Sequence, residues 1–154
     1  MTDKAFSELA EISYWLHKIK EAPNHRRYKL LIVDDQPEIR NLLTLTLDSD
    51  DYEVHHANDW TTALEITKTV KPDLILLDIM MPGEHDGLEV CRRIKNDKDL
   101  SSTIIIIVSA RSQAADQAEG FKAGADDYLA KPFSPLSLID KVGTFLTKTV
   151  HTTK

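Results

Sequence analysis

Several polar residues follow directly on apolar runs. Leu30-Leu31-Ile32-Val33 leads into Asp34-Asp35, and Leu74-Ile75-Leu76-Leu77 leads into Asp78. The run 104–108 leads into Ser109, and a weaker run at 127–130 leads into Lys131-Pro132. If these runs are strands of one parallel sheet, the polar residues gather at its carboxyl edge, where open α/β sheets bind ligands. Three carboxylates crowded together stay ionised only beside a cation. An all-oxygen set without thiolate or clustered imidazole suits Mg²⁺, with Mn²⁺ as the alternative. Mg²⁺ commonly completes its coordination with water and phosphate oxygens, so the expected ligand is a phosphate. Lys131 would pair with one phosphoryl oxygen and Ser109 would donate a hydrogen bond to another, while Asp78 is placed as nucleophile. Singly, each residue has a structural reading: Asp34-Asp35 as a helix cap before Pro37, Asp78 as a turn former, Ser109 as a cap, Lys131 as a solvated charge. Four strand ends agreeing on one chemistry outweigh them.

The elements needed to hold such a site are legible. Strands are expected at 30–33, 52–57, 74–77, 104–108 and 127–130, and helices at about 37–48, 60–70, 87–96, 112–122 and 135–148. Runs that are apolar on both faces and separated by helices imply a parallel sheet covered on both sides. The expected fold is a doubly wound α/β domain of five strands and five helices. Gly124 is placed for a left-handed helix C-cap. Ahead of this unit, Phe6, Leu9, Ile12, Leu16 and Ile19 recur every three or four residues, so 5–21 reads as an amphipathic helix. Ala22-Pro23-Asn24 ends it, and a short basic linker runs from Pro23 to Tyr28.

Composition narrows the function classes. The 154 residues suit one domain, and 19 Lys+Arg against 25 Asp+Glu give a net charge of −6 with no general basic face for nucleic acid. Residues 1–29 carry six basic and four acidic side chains, so the acidity belongs to the remainder. The lone Cys91 has no internal disulfide partner, and no apolar run is long enough to span a bilayer. The six histidines lack ligand-like spacing apart from His55-His56, which strand geometry points to opposite faces. A reduced, cytoplasmic protein is expected, with no membrane and no direct nucleic-acid contact.

With these motifs in order, the chain resembles the receiver domains of two-component response regulators. The resemblance rests on Leu31-Ile32-Val33-Asp34-Asp35, on Leu76-Leu77-Asp78-Ile79-Met80-Met81-Pro82-Gly83, on Ile107-Val108-Ser109-Ala110, and on Gly124-Ala125-Asp126-Asp127-Tyr128-Leu129-Ala130-Lys131-Pro132-Phe133. It implies a flavodoxin-like sheet of strand order 2-1-3-4-5, and divides the chain into 1–28 (N-terminal helix and linker), 29–150 (receiver) and 151–154 (tail). It makes Asp78 the acceptor of a phosphoryl group from a sensor histidine kinase or phosphotransfer protein. Asp35, Asp78 and the Met80 backbone carbonyl would ligate Mg²⁺, with Asp34 acting mainly through water. Ser109 and Lys131 would contact the phosphoryl group, and Ser109 with Tyr128 would form the switch toward the surface of the helix at 112–122, the strand at 127–130 and the helix at 135–148. The resemblance also implies a cis Lys131-Pro132 bond, and places at Met80 and Arg111 that tune phosphoryl lifetime. One departure is visible: two residues, Glu84-His85, precede Asp86-Gly87 where the family has one.

The expected function is therefore a stand-alone signalling switch that catalyses only its own phosphotransfer and autodephosphorylation, with output by contact with a downstream protein not identified by sequence. A receiver fragment of a larger regulator is the alternative. A haloacid-dehalogenase-type phosphatase would want a second acid two residues after the nucleophile, where Met80 stands. A phosphorylation-independent docking module would not need all of Asp34, Asp35, Asp78, Ser109 and Lys131. The helix at 5–21 is expected to pack on the receiver or pair with its copy; the surface of the helix at 112–122, the strand at 127–130 and the helix at 135–148 is the other candidate homodimer face. A membrane-surface role is disfavoured because Glu8, Glu11 and Glu21 offset Lys18 and Lys20.

Overall fold

The structure is a computed structural model that describes residues 7–14, 26–83 and 86–152. Strands form on the apolar runs, buried on both faces at the sheet centre and only part-buried in the edge strands at 52–57 and 127–130. These are β1 (Tyr28–Val33), β2 (Tyr52–Ala57), β3 (Leu74–Leu77), β4 (Ile104–Ser109) and β5 (Asp127–Ala130). All pairings are parallel, in the order β2-β1-β3-β4-β5. β3 and β4 are buried along their whole length, as strands covered by helices on both faces must be.

Side-chain alternation divides the core into two layers. Leu31, Val33, Ile75, Leu77, Ile105 and Ile107 face α3 (Trp60–Val70) and α4 (Gly87–Asn96). Leu30, Ile32, Leu74, Leu76, Ile104 and Ile106 face α2 (Pro37–Thr46) and α6 (Pro135–Thr152), meeting Leu43, Leu138, Val142 and Leu146. Each fully buried leucine or isoleucine contributes about 1.5–3 kcal/mol of transfer free energy, so the sheet centre holds much of the burial that stabilises the fold. α5 (Ala114–Lys122) lies on the α3/α4 side, where a Cβ on Gly120 would fall 2.9 Å from Ile107 Cδ1.

The expected strands and helices are present, with shifted ends. α2 stops at Thr46 rather than 48. α5 starts at Ala114 rather than 112, because Asp116 reaches back to accept from the Gln113 N–H (3.2 Å) and sets the cap there. α6 runs past the expected end at 148 into the expected tail, to Thr152; nothing between 148 and 152 is a Gly or Pro that would stop it. Gly124 has φ +107 just after the α5 C-cap, as expected. Of the expected N-terminal helix, residues 7–14 are helical (α1) and exposed, with Leu9 and Ile12 more than half accessible; the rest of 5–21 lies outside the described residues. The linker's arginines are anchored at the amino edge of the sheet. Arg26 pairs with Asp73, which also accepts from the Lys29 N–H (2.8 Å), and Arg27 donates to the Tyr52 carbonyl (2.6 Å).

The loop from β3 to α4 is held by two glycine contacts. Gly83, at φ +142, lies over the buried Trp60 indole, where a Cβ would approach Cδ1 to 3.2 Å. Gly87 opens α4 after the Asp86 cap, and a Cβ there would lie 2.6 Å from Ile79 Cα and 2.9 Å from its carbonyl oxygen. The extra residue of this loop falls at 84–85, outside the described residues.

Because backbone rather than a flexible side chain opposes Gly87, Gly87→Ala is expected to destabilise the fold by about 1–3 kcal/mol, measured by urea unfolding. Cys91 is fully buried, and burial pushes its thiol up to about 11. It is expected to stay unlabelled by iodoacetamide at pH 8 in the native protein and to react once denatured.

Candidate metal and phosphate site

Parallel pairing brings the residues after β1, β3, β4 and β5 to one edge. Asp34 follows β1, its N–H bonded to the Ala57 carbonyl (3.1 Å), and Asp78 follows β3, its N–H bonded to the Val33 carbonyl (2.9 Å). Asp34, Asp35 and Asp78 each place a carboxylate oxygen within 4.8 Å of the others. Asp34 and Asp78 are buried and Asp35 is exposed, so the cluster opens to solvent on the Asp35 side.

Lys131, following β5, enters between them. Its Nζ lies 2.8 Å from Asp34 Oδ2 and 3.3 Å from Asp78 Oδ2, with the side chain only 15% exposed. This overturns the solvated-charge reading of Lys131. The preceding strand is fastened by the Lys131 N–H to the Ser109 carbonyl (2.9 Å), and the Lys131-Pro132 bond is cis. The capping readings also give way: α2 is capped at Gln36 and α5 at Gln113, not at Asp34, Asp35 or Ser109. Asp34 Oδ1 accepts from the Gln36 N–H and Asp78 Oδ1 from the Met80 N–H, both at 2.9 Å, which holds each carboxylate in the turn after its strand.

The electrostatics follow from geometry. Burial raises the Asp78 carboxyl above its ordinary range, with Asp34 adding to the rise, while the Met80 N–H and Lys131 oppose it. Burial works against the Lys131 charge, but Asp34 and Asp78 outweigh it and hold the ammonium above its usual value. Three carboxylates thus share one ammonium. The donors are all hard oxygens, one side is open to water, and the unbalanced negative charge fits a divalent cation of the Mg²⁺ type.

Ser109 is fully buried, and its Oγ accepts from the Arg111 N–H (3.1 Å). Tyr128 is buried as well and donates its hydroxyl to the Arg111 carbonyl. Burial lifts its phenol above the ordinary range, partly offset by Ser109, so it stays a donor. Met80 and Arg111 sit at the exposed rim. Two contributors had no clear sequence signal. Arg40 donates to the Asp34 carbonyl (2.7 Å) from one turn into α2, and Asp116 pairs with the Arg111 guanidinium (3.2 Å). Only the Gln113-to-Asp116 capping interval pointed to the latter.

The model of the response regulator receiver domain family matches residues 30–143. Transcriptional regulatory protein ResD of Bacillus subtilis is 41% identical over 124 residues, 80% of this chain and 50% of its own length. The chain spans about half the length of the curated relatives it matches. A putative response regulator from Chloroflexus aurantiacus superposes with TM-score 0.74 at 34% identity, covering 79% of this chain and 99% of that one. The BeF3-activated receiver domain of DrrB, from Thermotoga maritima, gives TM-score 0.71 at 30% identity, covering 79% and 98%.

Asp78→Asn removes one of three like charges, keeps an acceptor for the Met80 N–H and leaves Lys131 on Asp34. In metal-free buffer it is expected to raise the melting temperature by roughly 2–5 °C, read by circular dichroism. A lowered melting point would mean that the Asp78–Lys131 attraction outweighs the repulsion.

Proposed function

The chain belongs to the response regulator receiver domain family, whose members are signalling switches, and on that premise we propose that it accepts a phosphoryl group on Asp78 from a histidine kinase or phosphotransfer protein. The observation that carries this reading is the Lys131 ammonium seated between the carboxylates of Asp34 and Asp78 at the open edge of the sheet.

Asp35, Asp78 and the Met80 carbonyl would hold Mg²⁺, with Asp34 reaching it through water. The ion would neutralise the carboxylates and bind a phosphoryl oxygen. An Asp78 carboxylate oxygen attacks the phosphorus of a phosphohistidine, the P–O bond forms as the P–N bond breaks, and the imidazole leaves with a proton from solvent. Lys131 then turns from its carboxylate partners toward the new phosphoryl oxygens, and the Ser109 hydroxyl donates to another, stabilising charge where it develops. Because Ser109 and Tyr128 both bond to Arg111, a shift of the Ser109 hydroxyl is passed to β5 and the surfaces of α5 and α6. A local charge thereby biases a packed element.

Residues 29–150 act as the receiver unit, with 1–28 as an appended helix and linker, and its last helix carries on into the expected tail to Thr152. The protein works in the cytoplasm, with output by protein contact. A homodimer would form through α5, β5 and α6 or through α1. The length of its relatives, which bear the name transcriptional regulatory protein, supports a second reading of the output, as the receiver portion of a longer regulator. Among the described residues no helix is long and apolar enough to cross a membrane.

With Mg²⁺ and acetyl phosphate, intact mass is expected to show one added phosphoryl group that hydroxylamine removes, that EDTA prevents and that Asp78→Asn abolishes. A modification that persists in Asp78→Asn would sink the assignment. Sustained Asp78-dependent turnover of p-nitrophenyl phosphate would favour a phosphatase instead.

A further inference from the structure

The buried carboxylates of the cluster are tied down by hydrogen bonds, whereas the exposed one is not. Asp34 has its N–H on the Ala57 carbonyl, its Oδ1 on the Gln36 N–H and its Oδ2 on Lys131. Asp35 is exposed, and among the described residues its carboxylate has no hydrogen-bond or ion-pair partner, yet it lies within 4.8 Å of the other two. What holds the backbone beneath it comes from α2. The half-buried Arg40 reaches back to donate from Nη1 to the Asp34 carbonyl at 2.7 Å. Its own N–H donates to the Gln36 carbonyl (3.1 Å), so one residue grips both ends of the connection from β1 to α2. Gln36 itself makes no side-chain cap there.

We propose that Arg40 is a positioning residue for the divalent cation: by fixing the Asp34 carbonyl it orients the Asp35 carboxylate toward the ion. This rests on the reading of Asp35 as a metal ligand.

Three physical points support it. The Asp34 carbonyl and the Asp35 N–Cα bond belong to one planar peptide unit, so holding the oxygen fixes the direction in which Asp35 leaves the strand end. Mg²⁺ demands near-octahedral geometry at about 2.0–2.1 Å, so a carboxylate carried on an unheld peptide binds it less well. The sign of the effect also separates positioning from plain charge. A guanidinium beside a cation site repels a dication, so as a charge alone Arg40 would weaken Mg²⁺ binding and its removal would strengthen it. As a positioning residue its removal does the reverse.

The test is calorimetric titration with Mg²⁺ alone, well below the melting transition, with circular dichroism in metal-free buffer to verify the fold of each variant. Arg40→Met keeps an unbranched stem but loses the donor and the charge. Its dissociation constant for Mg²⁺ is expected to rise by about tenfold. Arg40→Lys retains a cationic donor and is expected to recover part of that loss. Thr44→Val removes the hydroxyl that donates to the Arg40 carbonyl (2.7 Å) without touching Asp34, and is expected to leave Mg²⁺ affinity unaltered. Unchanged or tighter binding in Arg40→Met overturns the proposal, as does binding by Arg40→Lys no better than by Arg40→Met. An equal loss in Thr44→Val also overturns it, reducing Arg40 to a general support of α2. Asp35→Asn separates the two levels. If it binds Mg²⁺ as tightly as the unmodified protein, or if the latter does not bind, the metal reading fails and this proposal falls with it; if Asp35→Asn weakens binding and Arg40→Met does not, this proposal falls alone.

Discussion

Three carboxylates confront one ammonium at the carboxyl edge of the sheet, and most of the architecture exists to maintain that imbalance. Asp34 and Asp78 are buried, where like charges are costly, and Lys131 compensates only part of the charge. Such a cluster would relax if its backbone could move. It cannot, because Asp34 and Asp78 are the first residues beyond β1 and β3, locked to Ala57 and Val33 by ladder-like hydrogen bonds. The unbalanced negative charge fits a divalent cation of the Mg²⁺ type.

Rigidity at the strand ends comes from the two-layered core. Alternate residues of β1, β3 and β4 are committed to opposite helical layers, so a one-residue slip of any strand would send apolar side chains to the wrong layer and move the functional residue off the edge. The loop between β3 and α4 depends on the same economy of space. Gly83 settles on Trp60 and Gly87 on Ile79, which draws the start of α4 against the residue following Asp78. Beyond the edge, Arg111 gathers contacts from Ser109, Tyr128 and Asp116, connecting the charged centre to β5 and α5.

Much of this was legible before folding. The apolar runs located the five strands, and four of the five helix starts fell where apolar period and caps placed them. Pro37, Trp60 after Asp59, Gly87 after Asp86 and Pro135 are examples. α5 escaped by two residues because its start is set by a side-chain bond from Asp116 that periodicity does not encode. α6 ran longer because no breaker follows it, and absence of a stop is a weak signal. The candidate site was legible because parallel strands all present their carboxyl ends on one edge, which turns position along each run into position in space.

The amino-acid sequence by itself determined which residue types stand at those ends and the order of elements that carries them, since hydrophobic period and turn chemistry are local properties. Only the tertiary structure decided how the charges pair. That Lys131 bridges Asp34 and Asp78, that Arg40 holds the Asp34 carbonyl, that Arg111 is engaged by Asp116 and that Trp60 supports Gly83 are contacts between side chains and backbone on different elements. Pairing of that kind depends on rotamers and distances that exist only once the sheet has twisted and the helices have packed. The net charge of −6 was thus readable at once, but that three of the carboxylates meet in one partly neutralised, solvent-open cluster was a property of the fold.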